Sequence, residues 1–157
     1  MRAARFWITL TCCLVALASM ASAQSRKPGL WTITTTVNYP PAANGAAEHP
    51  TTAGPNNSEV CLTQALIDKY GAPLPQIQDC TVTSFNKKAN SVNAEMVCSG
   101  IIKAKVTMES TWTADRATGS VHVLTTAPRA MEWTSNSTSV FKSADCGTVQ
   151  PFPMPAQ

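Results

Sequence analysis

Residues 102–113 are two interleaved series. Ile102, Ala104, Val106, Met108, Ser110 and Trp112 take alternate positions, and Lys103, Lys105, Thr107, Glu109, Thr111 and Thr113 fill the gaps. Successive side chains of a strand point to opposite faces, so one apolar and one polar series at period two predict a half-buried β-strand. A helix would scatter both series around its axis. The same signature recurs along the chain. Residues 30–39 place Trp31, Ile33, Thr35, Val37 and Tyr39 on one face and stop at Pro40-Pro41. Residues 80–85 and 91–99 read as strands joined by the polar turn 86–90. On the first of these Cys80, Val82 and Ser84 share a face; on the second Val92, Ala94, Met96 and Cys98 do. Residues 115–119 are expected to turn the chain, so that Val121, Val123 and Thr125 face Trp112, Ser110 and Met108. A last strand over 130–142 puts Met131, Trp133 and Phe141 on one side, with a polar middle at Ser135 and Ser137.

The remaining stretches connect these strands. Residues 40–57 are rich in Pro, Ala, Gly, Asn and Thr without periodicity and are expected to form a flexible loop. A short extended piece at 59–62 carries Cys61. Thr63 can cap a helix through Tyr70, which Gly71 and Pro73 end after about two turns. The proline-rich end, 151–157, is expected to be a loose tail. The expected fold is mainly β: a single domain over 24–150, an antiparallel meander of about six strands with one short helix. The meander forms either a curved sheet or a small barrel, the latter having no free edges.

The start of the chain bears on its compartment. Arg2 and Arg5 precede an apolar run from Phe6 to Met20, which ends in Ala21-Ser22-Ala23. A charged start, a short apolar core and an A-x-A end make a secretory signal peptide over residues 1–23. A membrane span needs about 20 apolar residues, and this run is interrupted by Thr9, Thr11 and Ser19. No later segment is apolar enough to span a bilayer, so no transmembrane span is expected after cleavage. Cys12 and Cys13 leave with the leader. Cys61, Cys80, Cys98 and Cys146 remain, an even set that reads as two structural disulfides in an exported chain. Four cysteines allow three pairings. Cys61–Cys80 with Cys98–Cys146 is preferred, because it staples the helical excursion and ties the last strand to the sheet. Cys80–Cys98 with Cys61–Cys146 competes, because a tight hairpin at Lys88-Ala89 brings Cys80 and Cys98 to one face. Without Arg2 and Arg5, the 12 Lys and Arg fall almost level with the 9 Asp and Glu. A near-neutral domain carries no electrostatic footprint for nucleic acid.

Few residues offer chemistry, and no catalytic, cofactor or metal residues are assigned. His49 and His122 are the only histidines. A hydrolase would need His122 held by a carboxylate beside an activated serine, and no nucleophile signature such as G-x-S-x-G is present. Glu95, Glu109 and Glu132 lie on polar strand faces, where Lys103 and Lys105 account for them as cross-strand ion pairs. Met96, Met108 and Met131 are soft ligands in type, but their positions match apolar faces and core filling. Trp31, Met108, Trp112, Met131 and Trp133 form a candidate apolar binding face, which an open sheet would present to a small molecule or partner.

Five short motifs stand in order: Lys27-Pro28-Gly29-Leu30-Trp31, Val60-Cys61-Leu62-Thr63, Asp79-Cys80-Thr81-Val82-Thr83, Cys98-Ser99-Gly100 and Asp145-Cys146-Gly147. In this the chain resembles domain-of-unknown-function family 3617, small exported proteins of Gram-negative bacteria. It departs at Thr32, where an acidic residue is common, and in the Pro/Ala/Asn loop, where many members are Met-rich. The resemblance implies a periplasmic location and a β-rich fold, and no reaction. The expected function is non-enzymatic binding or envelope association, with an apolar small molecule, a lipid or an envelope protein as partner. The alternative is a hydrolase using surface carboxylates or Ser with His122.

Overall fold

The computed structural model describes residues 25–40 and 51–154. The expected signal peptide over 1–23, His49 and residues 155–157 lie outside them. Seven strands form one antiparallel sheet: β1 Gly29–Asn38, β2 Thr52–Leu62, β3 Cys80–Lys87, β4 Ser91–Ser99, β5 Lys103–Trp112, β6 Arg116–Ala127 and β7 Met131–Ser143. One helix, α1 Gln64–Tyr70, lies between β2 and β3. The spatial order is β2-β1-β7-β6-β5-β4-β3, so the sheet is open and its edges are β2 and β3. Strands β3 to β7 are a meander. The last strand then pairs with the first, from Leu30 opposite Ser143 to Asn38 opposite Thr134.

Alternation decides which residues turn inward. On β5, Ala104, Val106, Met108, Ser110 and Trp112 are buried, with the charged series outside. The register carries this face across the sheet: Val92 meets Ser110, Ala94 meets Met108 and Met96 meets Val106. Helix α1 covers one part of the inner face. Thr63 accepts a hydrogen bond from the Leu66 amide at 3.2 Å, which starts the helix, and Leu66 and Ile67 are buried against the sheet. Gly71 ends it at φ 76°. A Cβ there would run into the ring of Trp112, so the same glycine frees the turn and lets the chain lie on the tryptophan. Around these residues Trp31, Leu62, Leu74 and Ala117 complete the main core. Val106, Val123, Met96 and Cys98 form a second, smaller core.

Several expectations are corrected. The sequence stretch 40–57 is not all loop: β2 begins at Thr52 and gives seven strands where about six are expected. Its first half has no apolar alternation because it is an edge strand whose side chains are exposed. Polar pairs hold it instead, Thr34 Oγ1 to Asn57 Oδ1 at 2.8 Å and Thr52 Oγ1 to Asn38 Oδ1 at 3.2 Å. Pro55 is tolerated because an edge strand has one side free of ladder bonds.

The β5–β6 turn is shorter than residues 115–119. Thr113 donates its amide to the Arg116 carbonyl at 2.8 Å, so Trp112 faces Ala117 and Met108 faces Val121. The expected register, with Val121 opposite Trp112, is overturned by this tighter turn.

The preferred disulfide pairing is also overturned. The bonds are Cys61–Cys146 and Cys80–Cys98. Cys61 lies on β2 and Cys80 on β3, at opposite edges of the sheet, whereas the hairpin register sets Cys80 directly against Cys98.

The chain end is not loose through Pro153. The Phe152 amide donates to the Cys61 carbonyl at 2.8 Å, Gln76 Nε2 donates to the Pro153 carbonyl at 2.7 Å, and Phe152 packs on the main core. Prolines cannot extend a ladder, but the one amide between them suffices to dock the strap.

Candidate functional site: an inner-face cleft with a buried arginine

The sheet narrows its own inner face in the middle. One cross-strand row runs Thr35, Ser137, Gly119 and Ser110 on β1, β7, β6 and β5. The row beside it runs Ile33, Ser139, Ala117 and Trp112. Small side chains at neighbouring positions of four strands leave the floor low between the larger residues Trp31, Met108 and Trp112. Ser110 donates to the Thr118 carbonyl at 2.9 Å and Ser137 to the Gly119 carbonyl at 3.4 Å, so these hydroxyls have backbone partners within the floor.

Above the floor stand the turn after α1 and the C-terminal strap. Leu74 and Phe152 form part of the wall of the resulting cleft, whose volume is about 250 Å³. Met108 and Val121 contribute apolar surface, and Ser135 extends the floor. Ligand clefts usually span about 300–1,000 Å³. This one suits a small molecule, or a larger one that protrudes through its open side.

Arg26 also lines the cleft. The segment before β1 is pinned by Lys27, whose amide donates to the Ala114 carbonyl at 3.0 Å. The Trp31 indole N–H donates back to the Lys27 carbonyl at 2.9 Å. This fold-back sets the Arg26 guanidinium 4.2 Å over the Trp31 ring. The side chain is buried at 2 % exposure, and its Nε has no hydrogen-bond partner among the described residues. Among the described residues the salt bridges are Lys105–Glu95, His122–Glu132 and Lys142–Glu59, none of which reaches Arg26. Burial lowers its pKa from the usual arginine range to about 10, so the group stays cationic at neutral pH.

The residues singled out from sequence divide. Trp31, Met108 and Trp112 are buried in the main core. Trp133 is half-buried against the second core. Met131 is 49 % exposed and belongs to neither, because β7 reaches the rim of the sheet there. These five residues therefore do not form one surface. His122 lies on the outer face, 2.8 Å from Glu132, with both side chains about half exposed. No serine joins the pair in the described hydrogen bonds, so the triad geometry is not assembled. Glu95 pairs with Lys105 at 3.3 Å, and Glu109 is exposed. Met96 and Met108 sit in different cores. No cluster of three His, Cys, Asp or Glu occurs among the described residues, and no described helix is long and apolar enough to cross a membrane.

Arg26 stands in a polar lead-in without periodicity, which gives it no signature of a site. Its one signal is proximity to Trp31, five positions on. The serine floor was visible only as a polar interruption of β7.

Comparison with known proteins returns one match. The model of a family described as protein of unknown function (DUF3617) matches residues 26–146. No curated protein and no solved structure matches the chain.

Proposed function

Because the chain belongs to the DUF3617 family, whose description carries no activity, we propose a role from its own residues: a periplasmic binding module that holds a small apolar molecule on the inner face of its sheet. The cleft carries this reading. It is roofed by the turn after α1 and the strap, floored by small side chains and walled mainly by apolar ones, the composition typical of small-molecule sites. Export is supported by the charged start, apolar core and A-x-A end over residues 1–23. Two disulfides accord with an oxidising compartment. The exposed His122–Glu132 pair lies on the other face, away from the cleft, which leaves the hydrolase alternative without a nucleophile beside its base.

The test is titration with two apolar probes, octanol and octanoate, followed by NMR shifts of the Met108 and Val121 methyl groups. Saturable binding of at least one is expected. Gly119→Val should abolish it, since a Cβ at 119 already lies 3.0 Å from Ser137 Oγ and a valine would fill the floor. Failure of both probes to bind the unaltered protein would overturn the reading.

A further inference from the structure

We infer that the ligand of the cleft is a small apolar monocarboxylate, whose carboxylate is received by Arg26. The inference rests on the binding role proposed above and goes beyond it by naming the ligand's charge and headgroup. A buried guanidinium is costly unless it is paired and hydrogen-bonded. Arg26 is 2 % exposed, its Nε lacks a partner, and no ion pair of the described residues includes it. The Trp31 ring lies 4.2 Å from the guanidinium, but a cation–π contact supplies no acceptor for the Nε–H. Arg26 is among the residues lining the cleft. The site thus combines one cation with apolar walls and a hydroxyl-bearing floor; Glu109, the one carboxylate residue of the described lining, is exposed.

Charge number and shape select the headgroup. Among the described residues, Arg26 is the one Lys or Arg lining the cleft. A single guanidinium matches one negative charge, and its planar fork matches a carboxylate by two parallel hydrogen bonds. A phosphate monoester approaches two charges at neutral pH, for which no second cation is provided. Trp31, itself anchored through its indole N–H to the Lys27 carbonyl, holds the guanidinium from one side at 4.2 Å. Met108, Val121, Leu74 and Phe152 then offer the surface for an aliphatic chain.

The experiment compares octanoate, octanol and octyl phosphate on the full disulfide-bonded protein, with the Arg26 Nε–H and Trp31 Nε1–H signals as NMR reporters. Octanoate is expected to bind at least about tenfold more tightly than octanol, to outbind octyl phosphate, and to shift the Arg26 Nε–H signal. Arg26→Gln should remove the preference for octanoate over octanol. Arg26→Lys, which keeps the charge without the fork, should restore only part of it. Should Arg26→Gln not fold, the ranking of the three probes on the unaltered protein and the Arg26 signal still decide. Equal binding of octanol and octanoate would overturn the carboxylate inference and leave the apolar cleft standing. Preference for octyl phosphate would overturn it in favour of a phosphate ligand. No binding of any probe would remove both proposals together.

Discussion

Cys61 and Cys146 lie 85 residues apart in sequence and 5.6 Å apart at Cα. The bond joins edge strand β2 to the segment that follows β7, and the strap carrying Phe152 docks beside it. Cys80 and Cys98, only 18 residues apart, close a hairpin whose register already sets them together. The two bonds therefore restrict the unfolded chain to different degrees. Loop-closure entropy gives about 4.6 kcal/mol for the long loop and about 3.2 kcal/mol for the short one. The double variant Cys61→Ala/Cys146→Ala should accordingly be the less stable of the two double variants. Equilibrium denaturation in urea measures the order, and a larger loss in Cys80→Ala/Cys98→Ala would show that chain entropy is not the controlling factor.

Gly71→Ala should destabilise the protein by more than about 1 kcal/mol. The position has φ 76°, and the added methyl meets the Trp112 ring. Trp112 should move with it, so the near-ultraviolet circular dichroism should change together with the denaturation midpoint. An unchanged midpoint would mean that the turn after α1 yields without disturbing the core.

Arg26→Met should raise the stability of the ligand-free protein. The fall of the guanidinium pKa to about 10 corresponds to about 3 kcal/mol of unfavourable burial. Losing the contact with Trp31 returns roughly 1 kcal/mol, so a net gain of about 2 kcal/mol is expected. The sign with pH follows from the depressed pKa of a cationic group. From about pH 10 up to the pKa of an unburied arginine the unfolded chain binds the proton more tightly than the folded one, so the native state of the unaltered protein gains stability as pH rises there. Below pH 10 the cost is complete and constant. The gap between Arg26→Met and the unaltered protein should be flat around neutrality and narrow above about pH 10. Urea titrations at several pH values measure it, and a destabilised Arg26→Met would mean that the arginine has partners beyond Trp31.

His122→Ala should change stability by less than about 1 kcal/mol, because its pair with Glu132 is exposed on both sides. It should leave octanoate binding unaltered, since the residue is on the outer face. Loss of binding in this variant would connect the outer face to the cleft and reopen a role for the pair.

Much of the sheet is legible in the sequence, and the reason is local. On β5 each residue's environment follows from its parity, and the buried series is the one the alternation marks. The same holds for β4, where Val92, Ala94, Met96 and Cys98 are all buried. What escapes local reading depends on who the neighbour is. Edge strand β2 is polar because it has a partner on one side only, and no periodicity in residues 52–57 announces it. The disulfide pairing follows from the placement of β2 and β3 at opposite edges, a property of the whole topology. Met131 and Trp133 share parity with Phe141, yet β7 spans from rim to core and gives the three different surroundings. Arg26 was least legible. Its burial comes from a fold-back pinned at Lys27, and nothing in a charged residue ahead of a strand predicts that the chain will close over it.

The strand order has a consequence for synthesis. β7 is the last strand to be made, yet it lies inside the sheet, between β1 and β6. Until it emerges, the chain holds two separate pieces, a β1–β2 hairpin and a β3–β6 meander, with no ladder between them. A ribosome delivering this chain from its N-terminus reaches residue 131 before the native sheet can join. Until then neither the β1–β7 nor the β6–β7 ladder has its second strand, so the two halves of the sheet are joined only by the last strand made.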